Sequence, residues 1–284
     1  MVYPVILVHV DADADANGRI RLASGLAKAW QANLVGAAAW AMQSVGGGDI
    51  AGGDDLSSDG ADFVGGEEGG DKPQITDITA WLARLGEHFR ATAANPRAEW
   101  RSAVDFPTEF VIRQARAADL LIIGPDRTGD SYRSLDPGSV VIGAGRPVLL
   151  VPSGIHSLEP RRILIAWKNT REARRAVWDA LPLLVKAQEV IAMHVAEPDW
   201  QLETPSDLED VARYLAQHQV KVTTRVETNA NASTACELVR VAKEQAVDLV
   251  VAGGYGRSRL GEFIFGGVTR ELLATNPICS LLSH

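Results

Sequence analysis

The chain is sparing with the residues that would commit it to several common designs. It has two cysteines, Cys236 and Cys279, in 284 residues. Two thiols build neither a disulfide framework nor a zinc centre, and both fall in segments that read as buried helix and strand. No apolar run approaches the roughly 18 residues that a membrane helix needs. The opening MVYPVILVHVD lacks the basic region and small-residue cleavage site of a secretory signal, and its apolar run is strand-length. A cytosolic protein with no membrane partner is expected. There is no block of Lys or Arg, which phosphate-tracking nucleic-acid binding requires, so no nucleic-acid partner is expected either.

What is present begins with a charge that proves to be local. The formal net charge of -8 comes from 36 acidic and 28 basic residues. Eight of those acids (Asp49, Asp54, Asp55, Asp59, Asp62, Glu67, Glu68, Asp71) lie between Gly46 and Asp71, a segment with no base. Outside it, 28 acids balance 28 bases. With ten glycines and few apolar residues the segment cannot bury enough surface to offset the entropy of ordering it, and a flexible surface loop is expected over 46–71. Its stretch DLSSDGADFVGG resembles the first half of a calcium loop. Gly66 stands where the bidentate Glu belongs and no amphipathic helices flank it, so no metal is expected.

The remainder repeats itself. Asp119 and Gly124 match Asp248 and Gly253 at an offset of 129, GSVV from Gly138 matches GGVT from Gly266 at 128, and RPVLLV from Arg146 matches NPICSL from Asn276 at 130. The opening strands, ILVHVD from Ile6 and ILIAWK from Ile163, are offset by 157. The excess of 28 is close to the 26 residues of the acidic segment, which is therefore an insertion in the first copy. Two domains follow, 1–154 and 155–284, joined through SGIHSLEP at Ser153 to Pro160.

Within each copy, aliphatic and β-branched runs alternate with helical periodicity. Strands are predicted at 3–10, 33–40, 97–104, 119–124 and 146–151, then at 161–167, 188–195, 220–227, 247–253 and 277–282. Helices are predicted at 17–31, 74–94, 107–117 and 138–144, then at 171–185, 206–218, 232–246 and 266–275. Strands separated by helices imply parallel pairing through right-handed crossovers, with both sheet faces covered. The expected fold class is α/β, with two tandem doubly wound domains. In the helix after Lys168, Asn169 reads as the N-cap with Glu172 three residues on, and Ala173, Val177, Ala180, Leu181 and Leu184 form its core stripe.

Ligands of open α/β sheets bind beyond the carboxyl ends of strands where strand order reverses. The richest such loop is AGGYGRSRLGEFIFGGVTREL, from Ala252 to Leu272. Gly253 and Gly256 follow a strand, and Gly266 and Gly267 open a helix. Glycines admit close backbone approach, a helix N-terminus presents free N–H groups to an anion, and Arg257 and Arg259 offer charge-assisted hydrogen bonds. Phosphate binding and simple turn-making both account for the glycines alone.

The spacing Gly253-x-x-Gly256, nine residues, then Gly266-Gly267-Val268-Thr269 resembles the ATP-binding signature of the universal stress protein family, G-x-x-G-x(9)-G-(S/T). The resemblance spans nearly the whole chain outside the insertion. It implies a five-stranded parallel sheet in each domain and pairing of the two domains within the chain through their last strands, with a homodimer as a further option. The implied ligand is ATP or AMP, with Mg accompanying ATP. Each copy departs from the pattern. The second has Gly267 in place of Ser or Thr, and Lys168 where the family has an Asp contacting the nucleoside. The first keeps Asp11, Gly124 and Gly138-Ser139-Val140, but has Arg127 in place of the second glycine. Three readings follow: a cytosolic stress-response regulator binding adenine nucleotide, a scaffold without nucleotide that recognises a protein partner, and a slow ATPase.

The other residues that invite a chemical role read as structural. His9 and Asp11 share one side of the first strand, and a lone strand histidine is a core residue by default, as is His194. Ser139 and Thr269 have no His and Asp arrangement around them, so nucleophilic catalysis is not expected. Trp81, Trp167 and Trp178 read as packing residues.

Overall fold

A computed structural model describes residues 2–284 except 12, 14, 43–73, 126–128, 197–205, 229–232, 256–266 and 276. The acidic insertion and its calcium-like stretch thus lie outside the described residues.

The short aliphatic runs of the first half form β1 (Val5–His9), β2 (Asn33–Ala39), β3 (Glu99–Ala103), β4 (Leu120–Ile123) and β5 (Val148–Leu150). Between them run α1 (Ala16–Trp30), α2 (Ile75–Ala93), α3 (Pro107–Gln114) and α4 (Pro137–Gly143). The second half repeats the series with β6 (Arg162–Ala166), α5 (Arg171–Leu184), β7 (Glu189–Ala196), α6 (Ser206–Gln217), β8 (Val222–Thr228), α7 (Thr234–Glu244), β9 (Leu249–Gly253), α8 (Gly267–Thr275) and β10 (Cys279–Ser283). The predicted elements are these, with ends differing by at most three residues. The helix expected over 107–117 is α-helical to Gln114 and closes in a 3-10 turn, Ala115–Ala117.

All ten strands join one sheet in the order β3-β2-β1-β4-β5-β10-β9-β6-β7-β8. Pairing is parallel within each half. The halves meet where β5 and β10 run antiparallel, with Val148, Leu149 and Leu150 opposite Leu282, Leu281 and Ser280. Period-2 alternation sorts each strand between two covered faces. Ile6 and Val8 pack under α1 with Ile20 and Ala23, while Leu7 turns to α3 and α4 with Val111 and Val140. The first of these layers runs on into α5 through Ile163, Val177 and Leu184, so the core crosses the seam between halves. Among the described residues no helix is long and apolar enough to cross a membrane.

Three local expectations are corrected. The N-cap of α5 is Thr170 and not Asn169: Thr170 has extended backbone and its hydroxyl accepts the Ala173 N–H at 3.2 Å. Glu172 is buried beside the Arg171 guanidinium at 3.3 Å. Cys279 is buried, but Cys236 is exposed at the start of α7, its thiol donating to Glu271 at 3.0 Å. Trp178 is 46 % exposed and lies outside the core. Trp167 is buried, its indole N–H donating to Asp207, and Trp81 stacks edge-on against Trp40.

Candidate ligand site

Strand order reverses between β1 and β4 in the first half and between β6 and β9 in the second. Crevices at such points are the ligand sites of open α/β sheets.

At the first crevice the structure brings Asp11 and Gly124 together through a residue the sequence reading passed over. Arg19, one turn into α1, is 1 % exposed. Its Nη2 donates to Asp11 Oδ1 at 2.6 Å, its Nη1 lies 3.8 Å from Asp13 Oδ2, and its Nε points at the His9 carbonyl at 3.5 Å. Among the described residues Nη1 has no hydrogen-bond acceptor, and it rests directly on Gly124, where any side chain would overlap it. Asp11 is therefore an ion-pair partner of Arg19, with its other oxygen 3.6 Å from His9 Nδ1. A signal for Arg19 was present in the sequence. A cation in the opening turns of a helix opposes the helix dipole, and this one follows three aspartates, Asp11, Asp13 and Asp15.

His9 is 2 % exposed, and burial lowers its pKa to about 4, Asp11 opposing the shift and the neighbouring Arg19 adding to it. It is a neutral, packed histidine at neutral pH, without a proton to trade. His194 is half-buried with Nδ1 3.3 Å from the Trp167 carbonyl.

At the start of α4 the backbone amides of Gly138 and Ser139 donate to the Asp136 carboxylate at 3.3 and 2.8 Å. The helix end where the family resemblance places a phosphate thus holds a carboxylate of the chain. Val140 is fully buried under β4 and β5. Over Gly138 sits the phenol of Tyr255, a residue of the second half, in contact close enough to exclude a side chain at 138. Tyr255 is 8 % exposed and packs among first-half core residues. Burial first, and then the Asp136 charge, push its hydroxyl up to about 12.

At the second crevice, Lys168 is exposed just beyond β6. Gly253 ends β9 beneath the first turn of α5, where a Cβ would approach the Ala173 nitrogen to 2.6 Å. Tyr255 has a left-handed backbone, φ 53°, and its N–H donates to Thr269 Oγ1 at 3.3 Å. Thr269 is 4 % exposed, so its hydroxyl serves the glycine loop. Gly267 and Val268 form the start of α8. Of the remaining sequence-predicted residues, Gly256, Arg257, Arg259, Gly266 and Arg127 lie outside the described residues.

The two crevices differ at one decisive position. With the first strands in register at the offset of 157, Arg19 corresponds to Ala176. Both are buried, and so are their flanking counterparts Ala16 and Ala173, Ile20 and Val177, and Ala23 and Ala180. The helices are thus equivalent in placement, and only the first sends a cation to the strand ends.

Residues 159–279 match the model of the universal stress protein family. Among solved structures, a universal stress protein from Archaeoglobus fulgidus superposes with a TM-score of 0.64 at 14% identity, covering 98% of this chain and 95% of that one. A functionally unknown protein from Pseudomonas aeruginosa PAO1 gives 0.60 at 16% identity over 99% and 92% of the two chains. A putative universal stress protein, also from Pseudomonas aeruginosa, gives 0.59 at 16% identity over 99% and 93%. No curated protein sequence matches. At these identities the structural likeness is one of fold, and it extends over both halves.

Proposed function

We propose that this chain, whose residues 159–279 match the universal stress protein family, is a cytosolic regulator that binds an adenine nucleotide, ATP or AMP, at the strand ends of its second half. The observation that carries this reading is the asymmetry between the crevices. In the first, the aspartate, the glycine and the helix amides each have a partner from within the chain. In the second, Ala176 sends no side chain to the strand ends, α8 begins at Gly267, and Lys168 stands exposed beside β6. A helix N-terminus and a lysine both favour an anion, and phosphate is the anion of a nucleotide. Lys168 cannot accept the hydrogen bonds of a ribose, so recognition there rests on the phosphates.

A second reading is favoured by the packing of Gly253 beneath α5 and by the buried hydroxyl of Thr269. Both residues have structural reasons to be what they are, which suits a scaffold whose glycine loop only closes the fold. Equilibrium dialysis against ATP and AMP separates the two. Nucleotide binding in the millimolar range or tighter, lost in Gly267→Asp with unchanged circular dichroism, supports the regulator. Absence of binding, or binding that survives the substitution, sinks it and leaves the scaffold.

A further inference from the structure

We propose that Arg19 is a tethered occupant of the first crevice, so that this half is closed to nucleotide and the chain takes one nucleotide and not two. The inference rests on the second-half reading only for where the single ligand goes. The closure itself is argued from the first half.

A ligand entering the reversal between β1 and β4 has three groups to use: the carboxylate after β1, the bare backbone at the end of β4, and the amides at the start of α4. Arg19 takes two of them at once. Its Nη2 holds Asp11 at 2.6 Å, and its Nη1 covers Gly124 without leaving room for a Cβ. The guanidinium is 1 % exposed, so it is part of the packed interior and does not swing out into solvent as a surface arginine would. The third group is spent on Asp136, whose oxygens accept from Gly138 and Ser139 at 3.3 and 2.8 Å. A phosphate arriving there would have to displace a carboxylate already satisfied by the same amides, against like charge. The phenol of Tyr255 on Gly138 covers that helix end from the second half. A guanidinium against a carboxylate and a carboxylate against helix amides together mimic the polar contacts of a bound nucleotide. This explains why Asp11, Gly124 and Gly138 are all present in a half that has no use for them as ligand contacts.

The test counts sites. Binding of ATP, and of adenosine to remove any need for the phosphate end, is titrated calorimetrically for the wild-type chain and for Arg19→Ala and Arg19→Gln. Each variant is also combined with Asp136→Ser, which keeps a capping hydroxyl and removes the charge. Circular dichroism and thermal unfolding identify the folded variants, and the glutamine variant keeps a polar stem where alanine leaves a cavity. The expected result is one site per wild-type chain and one additional site when Arg19 is removed. No wild-type site with one site in the variants would uphold the plug while removing the second-half reading. Two wild-type sites, or a folded variant with the wild-type count in all combinations, would overturn the plug.

Discussion

Removal of the Asp11 carboxylate should strand a buried cation, and its cost can be worked from the contacts of Arg19. The guanidinium is 1 % exposed and reaches no water in its present position. Taking one partner from a buried ion pair costs about 3–5 kcal/mol, because the remaining charge stays desolvated. Asp11 is itself 19 % exposed, and Asp13 remains 3.8 Å from Nη1, so Asp11→Ala belongs at the lower end, about 3 kcal/mol. The opposite removal should be mild. Arg19→Met keeps most of the buried stem and deletes the charge, while Asp11 keeps its solvent contact and the Asp13 N–H at 3.2 Å. A cost of about 1 kcal/mol or less is expected, since buried ion pairs are often replaced by apolar groups almost without loss. The double variant should therefore be more stable than Asp11→Ala alone, by about 2 kcal/mol on the same reasoning. Urea unfolding of the three variants, followed by far-ultraviolet circular dichroism, measures all of these differences. If Asp11→Ala cost less than about 1 kcal/mol, or the second substitution failed to recover stability, Arg19 would not be the desolvated cation described here.

Two further outcomes follow from other contacts. His9, with its pKa lowered from 6.5 to about 4, binds a proton more weakly folded than unfolded. Stability should be fully present above pH 6.5 and should fall as the pH drops toward 4, by about 3 kcal/mol from this group; a His9→Gln chain whose pH profile matched the wild type over that window would refute the assignment. Gly138→Ala places a methyl group against the Tyr255 hydroxyl and should cost about 1–3 kcal/mol by overpacking. Tyr255→Phe in the same chain should return about 1 kcal/mol or more of it, and strict additivity in the double-mutant cycle would show that the two residues do not meet.

Much of this architecture was legible without coordinates because it follows from local periodicity. The stretches 163–166 and 249–252 are apolar on successive residues, as a short strand covered on both faces requires, and they lie in β6 and β9. The offset between halves revealed the duplication, and the helices between the strands implied parallel pairing. The cap of α5 was misplaced by one residue because Asn169 and Thr170 are both good caps, and only the backbone angles choose between them. Trp178 read as a packing residue because no basic patch accompanies it, yet it falls on the outer side of α5 at 46 % exposure.

The candidate site divides differently. Glycine spacing is a property of the chain, so Gly253, Gly267 and Thr269 could be named from the sequence alone, as could Asp11, Gly124 and Gly138. What each touches is a property of the fold. Arg19 lies eight residues from Asp11 and more than a hundred from Gly124, and no local pattern states that its guanidinium will join them. Tyr255 stands between two glycines in the sequence, and its ring is buried in the other half against Gly138. The sequence by itself determined the α/β class, the duplication and the places where strands end, because propensity and periodicity act over a few residues. Only the tertiary structure decided that the first crevice is filled from within, because that depends on long side chains crossing between elements that are distant in the chain.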